Sequence, residues 1–591
     1  MNRKHWLALA LVGLGTLSVL GLRQGGSTGT RASLKLVFEV RDRIHQDYVE
    51  EVDSLRVIDG AVDGLAASLP EGENLYISPL EMAELGVAEP SPPRLDNRGQ
   101  IALLGEVFQQ VSQRYVDEVG ADTLARGMVA GMLSALDPHS SYLDPNERED
   151  LVERFRGDFE GIGIYFEIRQ GRLMVISPIV GSPSDGKLRA GDEIVEIEGV
   201  STDGITNEQV MKKLRGPKGS TVRVTVVRPG RSEPFEAAIR RERIEVRSIP
   251  YAFVLEPGVG YLRIARFAET TGKELGEDLA HLRAQGVGRL LLDLRGNGGG
   301  LLNQAVEVAE YFLDAGELVV YTQGRTADSR QEYQAGRPLE RPPLSLVVLI
   351  DHGSASASEI VAGAVQDHDR GLVVGQTSFG KGLVQEQFPL ASNGGLLLLT
   401  VARYYTPVGR LIQRPFTEDL QAYIQEGVDD FDPNSVDSLR SAGAVFRTAL
   451  GRPVYAAGGI TPDVVLPEPS YTEFEHEVFA SGALADFSSR VVGTGQVWTG
   501  GFESYAARYE VPDSLLAALD RYLVERDVVA AGESLPAHRD FLRTELKSGL
   551  ARVLWDDQSA YRVHLRADPQ VQQAAALFDR ADELQAARAG R

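Results

Sequence analysis

Three runs of continuous apolar residues, each ending in a loop of small residues, constrain this chain most. "RLLLDL" runs into "RGNGGG" (289–300), "LSLVVLID" into "HGSASAS" (344–358), and "GLVV" into "GQTSFGKG" (371–382). Uninterrupted apolar strands belong to sheets covered on both faces. The intervening segments supply covering helices, since "LLNQAVEVAEYFL" and "EIVAGAVQDH" carry apolar residues at helical spacing. Strands alternating with helices predict a layered, mostly parallel α/β core. In such cores the chemistry sits in the loops beyond the strand ends, here "RGNGGG", "HGSASAS" and "QTSFGKG".

The last loop reads G-x-x-x-x-G-K, most of a nucleotide-binding P-loop. That motif needs a hydroxyl residue after the lysine and then a helix whose N-terminus faces the phosphates. Here Gly382 follows Lys381, and "LVQEQFPL" reads as a strand ending at Pro389. A surface lysine in a glycine turn is a second reading. In a third, Gly380 and Gly382 let neighbouring backbone close around Lys381, and burial lowers its pKa towards that of a general base. A base needs something to activate, and Ser354, Ser356 and Ser358 stand together in the preceding loop. A serine there could act as nucleophile, with backbone N–H groups from its own turn and from "GNGGG" facing the developing oxyanion. Spacing alone favours the plainer account, in which "SASAS" caps the helix starting near Glu359. His352 with Asp351 or Asp367 offers a Ser-His-Asp set, but His352 shares a strand end with the nucleophile turn and reaches back awkwardly.

Upstream, residues 48–69 align without gaps on 115–136, matching Tyr48, Gly60, Gly64 and Leu69 to Tyr115, Gly127, Gly131 and Leu136. Each copy predicts two helices, closed by residues 76–79 and 142–145. We read them as packing or dimerisation elements in which no catalytic residue types converge. From Phe155 the pattern turns to short alternating strands. "GIGI" (Gly161, Ile162, Gly163, Ile164) and "RAGDEIVEIEGV" resemble a PDZ domain, which implies that a peptide adds to the sheet edge and its terminal carboxylate meets backbone N–H groups. Ile162 and Ile164 would suit an apolar tail.

The chain of 591 residues is long enough for about three to five domains. Its net charge of −23 argues against binding nucleic acid or anionic membranes. With no cysteine there is no disulfide or thiolate chemistry, and the nine histidines show no metal-ligand spacing, so no metal is expected. Arg3, Lys4 and His5 precede 17 uncharged, mostly apolar residues, 6–22. This reads as a signal peptide or an uncleaved membrane anchor and places the rest outside the cytoplasm, where a nucleotide-dependent enzyme would be out of place.

Taken together, "DLRGNGGGL", "GSASASEIVAGAVQD", "VVGQTSFGKGLVQ" and "ARYYTPVGRLIQ", in that order, resemble the carboxy-terminal processing (tail-specific) proteases. With the helical start, the PDZ-like module and the export signal, the resemblance covers about 38–467. It implies a serine endopeptidase that needs no cofactor. Its nucleophile would be Ser356, its base Lys381, and Gln385 would orient the lysine. Ala357 and Gly298 or Gly299 would donate to the oxyanion. The implied fold is multidomain α+β: a helical N-terminal region, a PDZ-like β domain, an α/β core of the ClpP/crotonase kind and a helical C-terminal region. The boundaries follow: signal or anchor 1–31, first repeat 32–88, Pro-rich linker 89–98, second repeat 99–154, PDZ-like domain 155–245, protease core 246–414 and 452–468, acidic insertion 415–451, helical region 469–591. The tandem repeat, the insertion and the C-terminal helices depart from a minimal member. Expected partners are protein substrates with free C-terminal tails, a second copy of the chain and an adaptor protein. The expected location is the bacterial periplasm or cell envelope. The rival readings are a non-catalytic PDZ scaffold, against which intact Ser356, Lys381 and Gln385 argue, and a latent protease awaiting an adaptor.

Overall fold

The computed structural model describes residues 28–70, 97–416, 423 and 444–590, apart from 116, 170, 180, 229–230, 232, 339, 341, 457, 469, 496 and 530–534. The apolar segment 6–22, the closing residues 76–79, nearly all of the Pro-rich linker and most of the acidic insertion lie outside the described residues.

The repeat folds as two helical hairpins, α1 (Thr28–Asp47) with α2 (Ser54–Ala67) and α3 (Asn97–Arg114) with α4 (Ala121–Ser134). Asp53 starts α2 by accepting Leu55 N at 3.0 Å. The glycines that match between the copies are the contact between them. A Cβ on Gly131 would lie 1.9 Å from Gly60 O, and one on Gly64 would lie 2.1 Å from Gly127 O, so α2 and α4 touch backbone to backbone. The hairpins are not a separate unit. Their core (Leu36, Val40, Ile44, Phe108, Met128, Met132) continues into Leu397 and Leu399 of the protease core. Strand β1 (Ser141–Leu143) pairs antiparallel with the strand Leu396–Tyr405.

Helix α5 (Pro145–Arg156), opened by an Asp144–Glu147 capping box, leads into the PDZ domain. Strand β2 (Asp158–Gly161) pairs with β9 (Glu242–Glu245) and so ties entry to exit. Between them β3 (Ile164–Arg169), β4 (Arg172–Pro178), β5 (Glu193–Ile197), β7 (Thr221–Val227) and β8 (Phe235–Arg240) form one sheet in that order, with β6 (Val200–Ser201) on β5. Among the described residues between β2 and β9 the one helix is α6 (Asn207–Leu214). Strand β3 is an edge of this sheet.

The core sheet runs β10 (Tyr251–Glu256), β11 (Val259–Arg263), β12 (Arg289–Asp293), β15 (Ser345–Ile350), β16 (Leu372–Gly375), β21 (Val464–Val465). Its first pair is antiparallel and the rest are parallel. The three apolar runs are β12, β15 and β16, as the pattern predicts. Alternate residues point to opposite faces. Leu290, Leu292, Leu346 and Val348 meet α7 (Thr271–Ala284), α8 (Leu302–Glu310) and α9 (Ala357–Asp367). A second, antiparallel sheet holds β13 (Leu318–Gly324), β14 (Gln331–Gln334), β17 (Leu383–Pro389) and β18 (Leu396–Tyr405), with β1 at its edge. A short ribbon, β19 (Val445–Arg447) and β20 (Pro453–Tyr455), precedes β21.

The C-terminal helices supply the other face of the core sheet. Leu291, Val347, Leu349 and Val374 pack on Leu565, Val571, Ala574 and Phe578 of α15 (Asp557–Leu565), α16 (Pro569–Ala575) and α17 (Phe578–Ala589). The preceding helices, from α10 (Glu473–Ser481) and α11 (Ala483–Thr494) through α12 (Phe502–Arg508) and α13 (Asp513–Glu525) to α14 (Arg539–Leu554), have their own core around Phe474, Leu519 and Leu546. Helix α11 also meets the PDZ domain, where Arg169 Nη1 donates to Gly482 O at 3.1 Å. The multidomain α+β architecture expected from sequence is the one observed.

Candidate active site

The turn between β15 and α9 sorts the three serines. Ser354 is fully buried and donates to Leu294 O at 2.9 Å; Ser358 is fully buried and donates to Asn297 O at 2.8 Å. Both are structural. Ser356 alone is partly open to solvent. Its backbone takes φ 56° and ψ −112°, a left-handed conformation that costs a non-glycine residue about 1–3 kcal/mol and is found where a fold over-determines it.

What holds Ser356 also holds Lys381. The fully buried carboxylate of Glu359 accepts four hydrogen bonds: Ser356 N at 2.7 Å and Lys381 N at 3.0 Å on Oε2, Ser378 Oγ at 2.6 Å and Gly380 N at 2.7 Å on Oε1. Burial pushes the Glu359 pKa up, and these donors oppose the shift. Tyr404, also buried, donates to Lys381 O at 2.6 Å and lies 3.2 Å from Ser356 O. One acid and one phenol therefore fix the serine turn against the lysine loop.

Lys381 leads directly into β17, with no helix after it, so the P-loop reading has no structural basis. Burial lowers its pKa from the ordinary value, and the charges of Asp137 and Glu359 only partly compensate. Its Nζ donates to Gln385 Oε1 at 2.9 Å, and among the described residues no hydrogen bond joins it to Ser356 Oγ. The register of β17 on β18 shifts between Val384 and Gln385. Such a bulge re-aims a side chain, here back towards the lysine.

Gln385 Nε2 in turn donates to the backbone carbonyl of His139. The repeat, read from sequence as a packing element, thus also supports the site, because the turn after its last helix reaches Gln385. Asp137 shapes that turn by accepting His139 N at 2.7 Å and Ser140 N at 2.8 Å. The His139 ring lies against Phe416 and Tyr423, and burial, aided by the Lys381 charge, lowers its pKa to about 4.

Gly299 takes φ 101°, and a Cβ there would lie 2.8 Å from both Ala355 O and Ser356 Cβ. The glycine turn thus presses on the serine turn. Gly299 N donates to Asn297 Oδ1 at 2.9 Å, whereas no hydrogen bond is formed by Gly298 N among the described residues. Ala357 N lies in the first turn of α9, where N–H groups have no intrahelical acceptor. The acids that could orient His352 are engaged elsewhere: Asp351 accepts Gly296 N at 2.8 Å, and Asp367 pairs with Arg410. Gly161, Ile162, Gly163 and Ile164 line a separate groove of about 290 Å³ between β3 and α6, with Met211 and Leu214 opposite. The described residues contain no group of three or more His, Asp or Glu that could hold a metal ion.

Glu359, Tyr404, Asp137 and His139 were not singled out from sequence. Glu359 carried a usable signal, because Ser-x-x-Glu before an apolar run is a capping-box spacing. The others carried none.

Residues 258–422 match the sequence-family model of Peptidase family S41, residues 152–227 that of the PDZ domain, and residues 82–147 that of the activating protease CtpB N-terminal domain. The carboxy-terminal-processing protease of Bartonella bacilliformis is 39% identical over 321 residues, 53% of this chain and 73% of that protein. The carboxy-terminal processing protease CtpB of Bacillus subtilis is 32% identical over 363 residues, 60% of this chain and 75% of that protein. Among solved structures, the photosystem II D1 C-terminal processing protease aligns at 24% identity and TM-score 0.36, covering 73% of this chain and 93% of that one.

Proposed function

The chain belongs to the carboxy-terminal processing proteases, serine-type peptidases with a PDZ domain, and from that premise we propose an extracytoplasmic endopeptidase that works through a serine–lysine pair. The observation that carries the mechanism is the partly buried Lys381, of lowered pKa, locked to the Ser356 turn through Glu359. An unfolded substrate tail docks along β3 with its terminal carboxylate at the Gly161–Gly163 loop. Neutral Lys381 takes the Ser356 Oγ proton as Oγ attacks the scissile carbonyl. Ala357 N–H and Gly298 or Gly299 N–H stabilise the oxyanion, with Gly298 the less engaged donor. Lys381 then returns the proton to the leaving amine, and the acyl-enzyme is hydrolysed by a water that Lys381 deprotonates. Gln385 keeps Nζ in place. No step calls on a metal or cofactor.

The location rests on the basic start and apolar segment 6–22. No helix among the described residues is long and apolar enough to cross a membrane. A homo-oligomer, an adaptor and an N-terminal anchor belong to the same proposal.

The test compares the wild-type soluble part, from about residue 32, with Ser356→Ala and Lys381→Ala on an unfolded protein with a free apolar tail, with and without EDTA. Cleavage by wild type alone, unaffected by EDTA, is expected. Cleavage surviving in Ser356→Ala would remove the nucleophile assignment. Tail binding without cleavage would favour the scaffold or the latent enzyme.

A further inference from the structure

At the C-terminal end of β12 the contact between the core sheet and the C-terminal helices changes from apolar to charged. Asp293, the last residue of β12, is fully buried. Arg295 grips it, with Nη2 at 2.8 Å from Oδ2 and Nε at 3.1 Å from both oxygens. Nη1 of the same guanidinium serves the other side: it lies 2.9 Å from Asp568 Oδ2 and donates to Gln570 Oε1 at 2.9 Å. The Arg295 side chain is 12% exposed and that of Asp568 10%. Tyr561 of α15 joins the cluster. Its hydroxyl accepts from Arg263 Nη1 at 3.0 Å and lies 2.8 Å from that of Tyr261, which donates to Asp293 Oδ2 at 2.7 Å. Two carboxylates, Asp293 and Asp568, thus balance two guanidiniums, Arg263 and Arg295. Removing the Asp568 charge leaves two cations on one buried carboxylate, a costly arrangement.

Arg295 also opens the glycine turn beside Ser356. The next residue, Gly296, donates to Asp351 Oδ1 at 2.8 Å. Asn297 O accepts Ala355 N at 3.0 Å and Ser358 Oγ at 2.8 Å, and Gly299 presses on Ser356. One side of the turn is therefore held by the serine loop, and its start is held by Arg295. Asp568 is itself fixed, since its Oδ1 accepts Gln570 N at 2.9 Å and Val571 N at 3.2 Å at the start of α16. Gln570 Nε2 donates onward to Pro467 O at 3.1 Å. A guanidinium bound on both sides is fixed in position and plane, and the turn starts from it.

We propose that Asp568 is a positioning residue of the reaction: its carboxylate closes the Asp293–Arg295 pair from outside and so sets the glycine turn whose N–H groups face the oxyanion. The C-terminal helices are then a working part of the active site as well as a cover for the sheet. This rests on the serine–lysine reading above. Asp568 touches neither substrate nor a reacting atom and acts through Arg295.

The experiment uses the full chain, one unstructured peptide with an apolar C-terminal tail, and a peptide aldehyde as inhibitor. Ser356 Oγ adds to the aldehyde carbon, its proton passes to Lys381, and the former carbonyl oxygen takes the charge and faces the glycine turn. Asp568→Asn keeps the side-chain oxygen that caps α16 and removes only the charge. It is expected to lower kcat by about 10–100-fold, the scale of a small misplacement of catalytic groups, with KM unchanged. Inhibition by the aldehyde should weaken by the same factor. Adding Gln570→Glu, which brings a carboxylate to the same Arg295 nitrogen, should restore most of both losses. Asp582→Asn, which removes a core-to-helix ion pair with Arg289 at the other end of β12, should leave both values at the wild-type level. An unchanged kcat in Asp568→Asn would overturn the inference. So would a loss of kcat without weaker aldehyde inhibition, or a loss that Gln570→Glu leaves uncorrected, either of which makes Asp568 merely structural. Those results leave the serine–lysine reading standing, whereas a wild type no more active than Ser356→Ala removes both.

Discussion

Ser356 and Lys381 donate their backbone N–H groups to the same carboxylate oxygen, Oε2 of Glu359, at 2.7 and 3.0 Å. The distance between nucleophile turn and base loop is therefore set by a group that need not touch substrate.

Glu359→Gln tests this directly. A glutamine offers one oxygen where four donors converge, so at least one pair of donors faces an NH₂ group. Each buried donor left unsatisfied costs about 1–3 kcal/mol. We expect kcat to fall by more than about 100-fold, by the same reckoning, together with a lower unfolding temperature. Near-wild-type turnover would remove Glu359 from this role.

The partly buried lysine predicts the pH dependence. Neutral Lys381 is the active form, so activity rises with pH through its pKa, which burial holds below the ordinary 10.5. Gln385 Oε1 accepts from Nζ and favours the ammonium. Gln385→Leu should therefore move the acid limb to lower pH while lowering kcat by about 10–100-fold through misplacement of the base. A pH–kcat profile checks both; a limb moving to higher pH would contradict the geometry.

His139 predicts a stability change on the acid side. Its folded pKa of about 4 lies below its ordinary 6.5, so on acidification the unfolded chain takes up the proton first. The stability associated with neutral His139 is complete above about pH 6.5 and is lost as pH falls through about 4. The loss is about 1–3 kcal/mol. His139→Gln should flatten the unfolding temperature between those pH values relative to wild type; an unaltered slope would argue against the partly buried, neutral imidazole.

The helical repeat should matter to catalysis. A Cβ on Gly131 would lie 1.9 Å from Gly60 O, so Gly131→Ala must force α2 and α4 apart. Overpacking of this kind typically costs about 1–3 kcal/mol. Because β1 and the His139 carbonyl follow α4 directly, cleavage should fall along with stability. Gly105→Ala, where a Cβ meets nothing within 4 Å, is the matched control and should retain activity.

The sequence by itself determined the elements and the residue types of the chemistry. Strands β12, β15 and β16 were legible because only strands covered on both faces can be apolar at every position. The edge strand and glycine loop of the PDZ domain were legible because turn and alternation are local. Which serine faces solvent was not: "SASAS" is symmetrical in spacing, and only the burial of Ser354 against Leu294 and of Ser358 against Asn297 leaves Ser356 open. The partner of the second sheet face was equally hidden. An amphipathic stripe on α16 or α17 says that a face is buried but not against what, and tertiary packing set Val571 and Phe578 on Leu291 and Val347. Tertiary structure also brought the His139 carbonyl to Gln385 and Asp568 to Arg295. Local periodicity encodes which surface a residue turns inward; which distant surface meets it depends on how the whole chain closes its core.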